Sequence, residues 1–274
     1  MPRNKAPSRR KKTQATDADI IGIDAYSPAQ IAAKIEQAGI AKARLPLDKL
    51  LMLGFLAGVF IAFGAAFYTL VITGSTLGLG PAKLLGGAAF SLGLILVIIA
   101  GAELFTGNNL IVMAWADGDV STTALLRNWT ATFLSNGAGA IVLAMLMFWS
   151  GTLHQGGTGE TAAAIAQAKM QLPFVEAFTR GVLCNALVCL AVWLSFASHR
   201  VSGKVLAILF PITAFVALGF EHSIANFYLI PIGILMGAEG GMSGFFQNLV
   251  PVTLGNIVGG GGAVALVYWV IYRR

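Results

Sequence analysis

The chain has 274 residues, of which 57% are hydrophobic and 11% are charged, and its mean hydropathy is +0.78. A soluble domain carries about 25% charged residues, so the composition excludes that class and indicates a membrane protein. The net charge of +6 does not indicate a nucleic-acid partner, because ten of the 18 Lys and Arg residues precede residue 50 and six lie in the first twelve.

The N-terminal part precedes the first long apolar segment. Residues 1–26 are basic and then polar, without periodicity, and are predicted to form a disordered cytoplasmic tail near anionic lipid. An amphipathic helix on the membrane surface is predicted over residues 27–44, with Ser27 as N-cap and Pro28 in its first turn. The remainder, 45–274, is predicted to be one six-span transmembrane domain.

Six apolar segments in that domain are each long enough to cross a hydrocarbon core of about 30 Å at 1.5 Å per residue. They lie near residues 48–73, 84–116, 122–150, 173–197, 203–236 and 246–271. The second and fifth are too long for single helices, so each is predicted to be broken. The predicted fold class is therefore an all-α membrane protein of six spans.

Two related patterns indicate an internal duplication. The frame G-x-E-x-x-x-x-N lies in both long spans, at residues 101–108 and 219–226, with an offset of 118. A second set recurs between the third and sixth spans at an offset of 120: Asn128, Asn136 and Gly139, then Asn248, Asn256 and Gly259. With three spans in each half, the second half must insert upside down, which predicts inverted repeats.

Lys and Arg residues in the short loops predict the orientation. The cytoplasmic side holds the ten in the leading segment and five more, which are Arg127, Arg200, Lys204, Arg273 and Arg274. The outer side holds Lys83 and Lys169, with Arg180 two turns into the fourth span. Both termini are predicted to be cytoplasmic, in a multi-pass protein of the plasma (inner) membrane.

Glu103 and Glu221 occupy equivalent places in the two frames. Insertion of a carboxylate at the centre of a membrane span costs roughly 2.5–3.5 kcal/mol on insertion scales, so each glutamate is expected to have a structural or functional role. Broken helices leave backbone N–H groups unpaired, and a nearby carboxylate can accept hydrogen bonds from them. Support of the breaks is therefore the predicted role of both glutamates, with contact to a substrate as the alternative. The same role is predicted for Asn108 and Asn226, with contact to a passing ion as an equal alternative.

His222 follows Glu221 in the middle of the fifth span. A lone histidine is most often a packed core residue, but ionisable groups in mid-membrane usually line a pathway. The imidazole, with an unperturbed pKa near 6.5, can exchange a proton at physiological pH. His222 is therefore predicted to line the pathway. Thr106 at the first break is also predicted to face the pathway.

Metal and cofactor chemistry is not indicated. One histidine and two glutamates lack a recognised metal-ligand spacing. The four glycines at 259–262 follow no strand and precede no Lys-Ser/Thr pair, so they predict close helix packing and not a phosphate loop. No metal and no cofactor are predicted.

The chain resembles the formate–nitrite transporter family from about residue 27 to residue 272. The segments that carry the resemblance are S-P-A-Q-I-A near the start, A-G-A-E-L-F-T-G-N at 100–108, R-G-V-L-C-N-A-L-V-C-L-A-V-W at 180–193 and G-F-E-H-S-I-A-N at 219–226. The resemblance implies an aquaporin-like protomer in a homopentamer. It also implies that each protomer has its own pore for small monovalent anions.

The resemblance implies roles for single residues. His222 matches the central histidine of the family, and Thr106 matches the loop threonine that faces it. Asn185 matches a pore asparagine. Lys169 falls where the family places a lysine that draws anions to the outer vestibule; an ordinary interfacial lysine is the alternative. Apolar constrictions on either side of the histidine are implied at Phe90, Leu94, Leu104 and Phe215.

The resemblance implies a channel or transporter for small monovalent anions, with formate as the first choice because the family most often carries it. A bare anion in low dielectric faces an idealised cost of order 20 kcal/mol, so phenylalanine and leucine side chains would block it. Passage is therefore predicted to be linked to a proton, with the anion crossing as its neutral acid near His222 and Thr106. Nitrite, hydrosulfide and short monocarboxylates are the alternative substrates.

Two other function classes are less well supported. An intramembrane hydrolase needs H-E-x-x-H, G-x-S-x-G or paired aspartates, and the sequence has none of these, so no enzyme is predicted. A pore for a neutral solute would be favoured by paired N-P-A repeats, but the breaks here read T-G-N and I-A-N. The predicted partners are a small anion, protons, the lipid bilayer and further copies of the chain.

Overall fold

A computed structural model of the protein describes residues 25–274; all but the last two residues of the predicted tail over residues 1–26 therefore lie outside the described residues. The described part is all-helical, as predicted, and its only β pairing is an isolated bridge between Ala25 and Ser198. The α-helices in it are α1 (Pro28–Ala43), α2 (Leu47–Ile72), α3 (Leu79–Ala100), α4 (Val112–Ala116), α5 (Thr122–Trp149), α6 (Thr158–Met170), α7 (Phe174–Ala197), α8 (Val201–Ala217), α9 (Ser223–Leu235), α10 (Gly241–Ile257) and α11 (Val267–Tyr272). Short 3-10 helices cover Gly107–Ile111 and Thr152–His154, and a π-helix over Val258–Leu266 joins α10 to α11.

Five helical stretches among the described residues are long and apolar enough to cross a membrane. They are α2, α3, α5, α7 and the continuous stretch Gly241–Tyr272. The segment predicted as the fifth span consists of two shorter apolar helices, α8 and α9. The segment predicted as the second span consists of α3, a turn, the 3-10 helix at Gly107–Ile111 and α4.

Glycine ends both α3 and α8. Gly101 has φ +81° and Gly219 has φ +74°, a left-handed conformation that other residues adopt only with strain. After each glycine, the next backbone N–H donates to a carbonyl five residues earlier, at 2.9 Å and 3.0 Å respectively. This geometry is that of a helix C-terminus closed by glycine, so the glycine of each G-x-E frame ends its helix.

Helix α1 begins with a capping box. Ser27 Oγ accepts from the Gln30 N–H at 3.4 Å, and Gln30 Oε1 accepts from the Ser27 N–H at 2.9 Å. The helix packs on α4, α7 and the 3-10 helix before α4. Arg273 at the other end of the chain donates to Glu36 on α1 at 2.6 Å and 3.0 Å. The predicted helix is present, and the protein covers one side of it.

Helix α6 was not predicted, because its segment is short and only weakly amphipathic. It lies at the opposite end of the bundle from α1. Helix α1 precedes the first residue of α2, whereas Gly157 before α6 lies beside Thr73, just after the last residue of α2. Since α2 has 26 residues, about 39 Å separate its ends. We call these two ends of the bundle the α1 face and the α6 face.

Glycines let the long helices approach closely at equivalent places in the two halves. A Cβ atom on Gly139 of α5 would overlap the carbonyl oxygen of Phe55 on α2. A Cβ atom on Gly259, after α10, would overlap the carbonyl oxygen of Val182 on α7. These contacts explain why a glycine recurs at this place in both halves.

The glycine run at 259–262 gives a paired prediction. We expect Gly259→Ala to lower the unfolding midpoint in detergent, because the added methyl group meets backbone and overpacking costs about 1–3 kcal/mol. Gly262→Ala is the matched control, since no atom lies within 4 Å of its Cβ position. Alanine is favoured over glycine in a helix by about 0.5–1 kcal/mol, so this control should leave the midpoint unchanged or raise it. Equal midpoints for the two variants would contradict the packing assignment.

Candidate functional site

The two break loops meet at the centre of the protein. Thr106 belongs to the loop between α3 and α4, and His222 is the N-cap residue of α9. Thr106 Oγ1 lies 3.1 Å from His222 Nε2, and the two residues are 0% and 3% exposed. The structure thus brings together the two residues that the sequence assigned to the pathway.

The hydrogen bonds of His222 fix its tautomer. Its Nδ1 accepts from the backbone N–H of Ala225 at 3.1 Å, as the N-cap of α9. The neutral ring therefore carries its proton on Nε2, and that N–H donates to Thr106 Oγ1. The hydroxyl hydrogen of Thr106 is then available to another acceptor.

An asparagine from a neighbouring helix holds each break. Asn136 Oδ1 accepts from the Phe105 N–H at 2.9 Å, and its Nδ2 donates to the carbonyl oxygens of Gly54 at 2.7 Å and Glu103 at 2.9 Å. Asn256 repeats these three bonds in the second half, with the Ser223 N–H at 2.9 Å, the Gly181 carbonyl at 2.8 Å and the Glu221 carbonyl at 3.0 Å. Backbone groups left unpaired by each break are satisfied in this way.

The glutamates do not accept from the backbone N–H groups of the breaks, which corrects the expectation from sequence. The N–H groups of Phe105 and Ser223 donate to Asn136 and Asn256. The N–H groups of Glu103 and Glu221 donate to the carbonyl oxygens of Leu53 and Arg180. Glu221 accepts instead from side chains, with Lys169 Nζ at 2.8 Å and Asn226 Nδ2 at 2.8 Å. The first half has the same arrangement, in which Glu103 accepts from Lys42 Nζ at 2.7 Å and from Asn108 Nδ2 at 2.8 Å.

Lys42 is a site residue that the sequence analysis missed. It lies near the end of α1, as Lys169 lies near the end of α6. The backbone carbonyl of each lysine accepts from an asparagine side chain, from Asn128 at 3.1 Å and from Asn248 at 2.9 Å. A motif could have revealed the pair, since A-K-x-x-L-P occurs at 41–46 and again at 168–173. Its offset of 127 differs from 118 and 120 because the connecting segments differ in length.

Two cavities approach the Thr106–His222 pair from opposite faces. The cavity on the α1 face has a volume of about 840 Å³, and Lys42, Leu94 and Leu104 are among its lining residues. The cavity on the α6 face has a volume of about 190 Å³, and Lys169 and His222 are among its lining residues. Polar and cationic side chains thus line both cavities.

Apolar side chains also line the two cavities. Phe90 and Phe215 line the α6-face cavity, and their ring centroids are 5.5 Å apart in an edge-on arrangement. The Phe215 ring stacks on His222 with a centroid separation of 6.0 Å. Leu94 and Leu104 line the α1-face cavity, and none of these four apolar residues is more than 4% exposed.

One group of carboxylates among the described residues is compact enough to hold a metal ion. The ligand atoms of Glu36, Asp117 and Asp119 all lie within 4.8 Å of one another. Arg273 already donates two hydrogen bonds to Glu36. The group lies by the C-terminus of the chain and takes no part in the Thr106–His222 site.

Comparison with known proteins decides the family. The sequence model of a family described as Formate/nitrite transporter matches residues 29–270. The chain belongs to the formate/nitrite transporter family. The resemblance inferred from the motifs is thereby confirmed.

Several members of the family are similar over nearly their whole length. The formate channel FocA of Escherichia coli (strain K12) is 41% identical, with 92% of this chain and 96% of the relative covered. A probable formate transporter of Methanothermobacter thermautotrophicus is also 41% identical, with 93% and 100% covered. A solved pentameric formate channel with formate bound has a TM-score of 0.77 at 42% identity, covering 83% of this chain and 98% of that one. A solved FNT family ion channel has a TM-score of 0.81 at 30% identity, with 88% and 98% covered.

Asn185, which the family resemblance assigned to the pore, lies outside the linings of both cavities described above. It is fully buried, and its Nδ2 lies 2.7 Å from the carbonyl oxygen of Asn256 and 3.1 Å from Asn109 Oδ1. The Thr106 carbonyl oxygen is 3.3 Å away. Asn185 therefore positions the Thr106 loop against the second half of the protein.

Proposed function

We propose that this member of the family is a channel for small monovalent anions, with formate as the principal substrate. The observation that carries the proposal is the Thr106–His222 hydrogen bond at the meeting point of the two breaks. It lies between two polar cavities that apolar side chains separate, an arrangement suited to a small solute that must shed water. Relatives named formate channels support formate as the substrate.

The four apolar residues act as constrictions in this proposal, Phe90 and Phe215 toward the α6 face and Leu94 and Leu104 toward the α1 face. An ion cannot pass them unaided, because transfer into low dielectric costs on the order of 20 kcal/mol in the idealised limit. The neutral acid avoids most of that cost. We therefore infer that each formate crosses with one proton.

The tautomer of His222 indicates where the proton comes from. With Nδ1 accepting from Ala225, the neutral ring has one proton, on Nε2, and giving it away would leave an imidazolate. The proton that neutralises formate therefore comes from a hydronium ion of the solution that enters the cavity, which leaves a neutral water molecule behind. The Thr106 hydroxyl, which accepts from Nε2, donates to the substrate oxygen and holds the substrate at the midpoint.

We infer six crossings of the plasma (inner) membrane, with α3 and α4 in the second and α8 and α9 in the fifth. Asn136 and Asn256 each make three hydrogen bonds, and the partners of the two asparagines are equivalent groups in the two halves. This equivalence supports inverted repeats. The distribution of Lys and Arg supports cytoplasmic termini, with the α6 face outside. The pentameric assembly of a solved relative supports a homopentamer.

Flux assays in proteoliposomes test this proposal. We expect formate influx well above that of protein-free liposomes, and slower influx of acetate, because its methyl group must pass the same constrictions. Faster nitrite or hydrosulfide influx would reassign the principal substrate within the family. Swelling in glycerol without any anion flux would contradict an anion channel and favour a neutral-solute pore.

A further inference from the structure

The α6-face cavity has more cations than carboxylates in its wall. Lys83, Lys169 and Arg180 line it together with one carboxylate, that of Glu221. Lys169 pairs with Glu221 at 2.8 Å, and Arg180 pairs with Glu176 at 3.0 Å. No ion pair involves Lys83 within residues 25–274. Because each of the two pairs is neutral, Lys83 supplies the uncompensated positive charge of this cavity.

The position of Lys83 places that charge near the substrate path. It lies in the second turn of α3, and a methyl group on Gly219 would be 3.9 Å from its Nζ. Gly219 begins the break that reaches His222 three residues later. The lysine is half-buried in a cavity that Phe90 and Phe215 also line, and low-dielectric walls of this kind strengthen the field of a charge inside a cleft.

We propose that Lys83 is the residue that attracts and selects anions at the α6-face mouth. Lys169, to which the family resemblance assigned this role, instead holds Glu221 and the second break, because its charge is offset by that carboxylate. This inference rests on the proposed function, since it requires an anionic substrate. It adds a specificity residue that acts before the Thr106–His222 pair.

The competing role for Lys83 is structural. Helix α8 ends at Ala217 beside Gly219, and a cation near a helix C-terminus is stabilising. The two roles differ in what they change. Attraction of an anion affects the half-saturation concentration and depends on salt, whereas helix capping affects the unfolding midpoint and changes flux equally at all salt concentrations.

The test measures the initial rate of formate influx from the α6 face into proteoliposomes of uniform orientation. At low ionic strength and subsaturating formate, Lys83→Gln should slow influx about three- to tenfold, and Lys83→Glu should slow it more. Lys83→Arg should stay near the wild-type rate. The deficit of Lys83→Gln should fall below about twofold at 1 M salt, where the Debye length is about 3 Å.

Lys49→Gln is the matched control, because it removes the same charge from an exposed residue of α2 at the α1 face. It should leave influx from the α6 face unchanged. A Lys83→Gln rate equal to wild type at low salt would overturn the inference. A deficit that persists at 1 M salt with a lowered unfolding midpoint would also overturn it, in favour of the structural role. Absence of formate flux in the wild type would overturn the proposed function and this inference together. The two failures are therefore distinguishable, because the other outcomes named here require wild-type flux and overturn this inference alone.

Discussion

Replacing Lys169 by methionine is expected to lower the free energy of unfolding by about 3–5 kcal/mol, since it leaves a buried carboxylate without its cation. The side chains of Lys169 and Glu221 are only 15% and 5% exposed. Lys42→Met should cost less, because the Lys42 side chain is 32% exposed. Arg180→Met should cost below about 1 kcal/mol, as its pair with Glu176 lies at the surface. Unfolding midpoints in detergent and the yield of assembled protein measure this order.

The double variant Lys169→Met with Glu221→Gln controls for lost packing. It removes both charges and keeps an acceptor for Asn226, so it should recover a large part of the stability lost in Lys169→Met. Equal destabilisation by Lys169→Met and Arg180→Met would contradict the prediction that the buried Lys169–Glu221 pair stabilises the fold more than the surface Arg180–Glu176 pair. The sequence alone suggested an ordinary lysine at the membrane surface as the alternative, for which no such loss is expected.

His222→Asn is expected to slow formate flux about tenfold to hundredfold while leaving the fold intact. The shorter side chain can still cap α9 through the Ala225 N–H, but it does not reach Thr106. Loss of the polar partner at the midpoint between the constrictions costs about 1–3 kcal/mol of barrier height, which gives this range of rates. Initial influx rates and the unfolding midpoint are measured on the same preparations.

Thr106→Val is the matched partner of this variant, because it removes the hydroxyl and keeps the shape of the side chain. The double variant His222→Asn with Thr106→Val should be no slower than the slower single variant, since both single changes break the same hydrogen bond. Strictly additive losses, or wild-type flux in either single variant, would show that the pair does not act as a unit.

The functional pair departs from the symmetry of the scaffold. At the offset of 118, His222 corresponds to Leu104, and Thr106 corresponds to Ile224. The residues that repeat between the halves hold the breaks, as Asn136 and Asn256 do. The chemistry lies at positions where one half has a polar side chain and the other an aliphatic one.

The sequence predicted those parts of the structure that depend on local pattern. Apolar length predicted an all-helical membrane protein and drew attention to the two G-x-E-x-x-x-x-N frames, and the structure then shows that Gly101 and Gly219 in those frames end α3 and α8. Asn136 and Asn256 were recognised as a repeat. Their bonds to the break loops were not recognised, since those bonds join residues more than 30 positions apart.

The remaining parts depend on contacts that spacing does not reveal. The partner of Lys169 is Glu221, 52 residues away, and nothing in the local sequence indicates that the lysine charge is offset. Helix α6 was missed for a related reason: it is short and gains its stability by packing on α9 rather than from its own pattern. Lys83 gains its significance only when the pairs around it are known.

The number of protons that accompany each formate tests the central claim most directly. Proteoliposomes with a trapped pH indicator report internal acidification during formate influx, while a potassium gradient with valinomycin sets the membrane potential. We predict one proton per formate and an initial rate that does not change with the imposed potential, because formate crosses the Phe90–Phe215 and Leu94–Leu104 constrictions as a neutral acid. Influx without acidification, at a rate that follows the membrane potential, would show that formate crosses as an ion and would contradict this account.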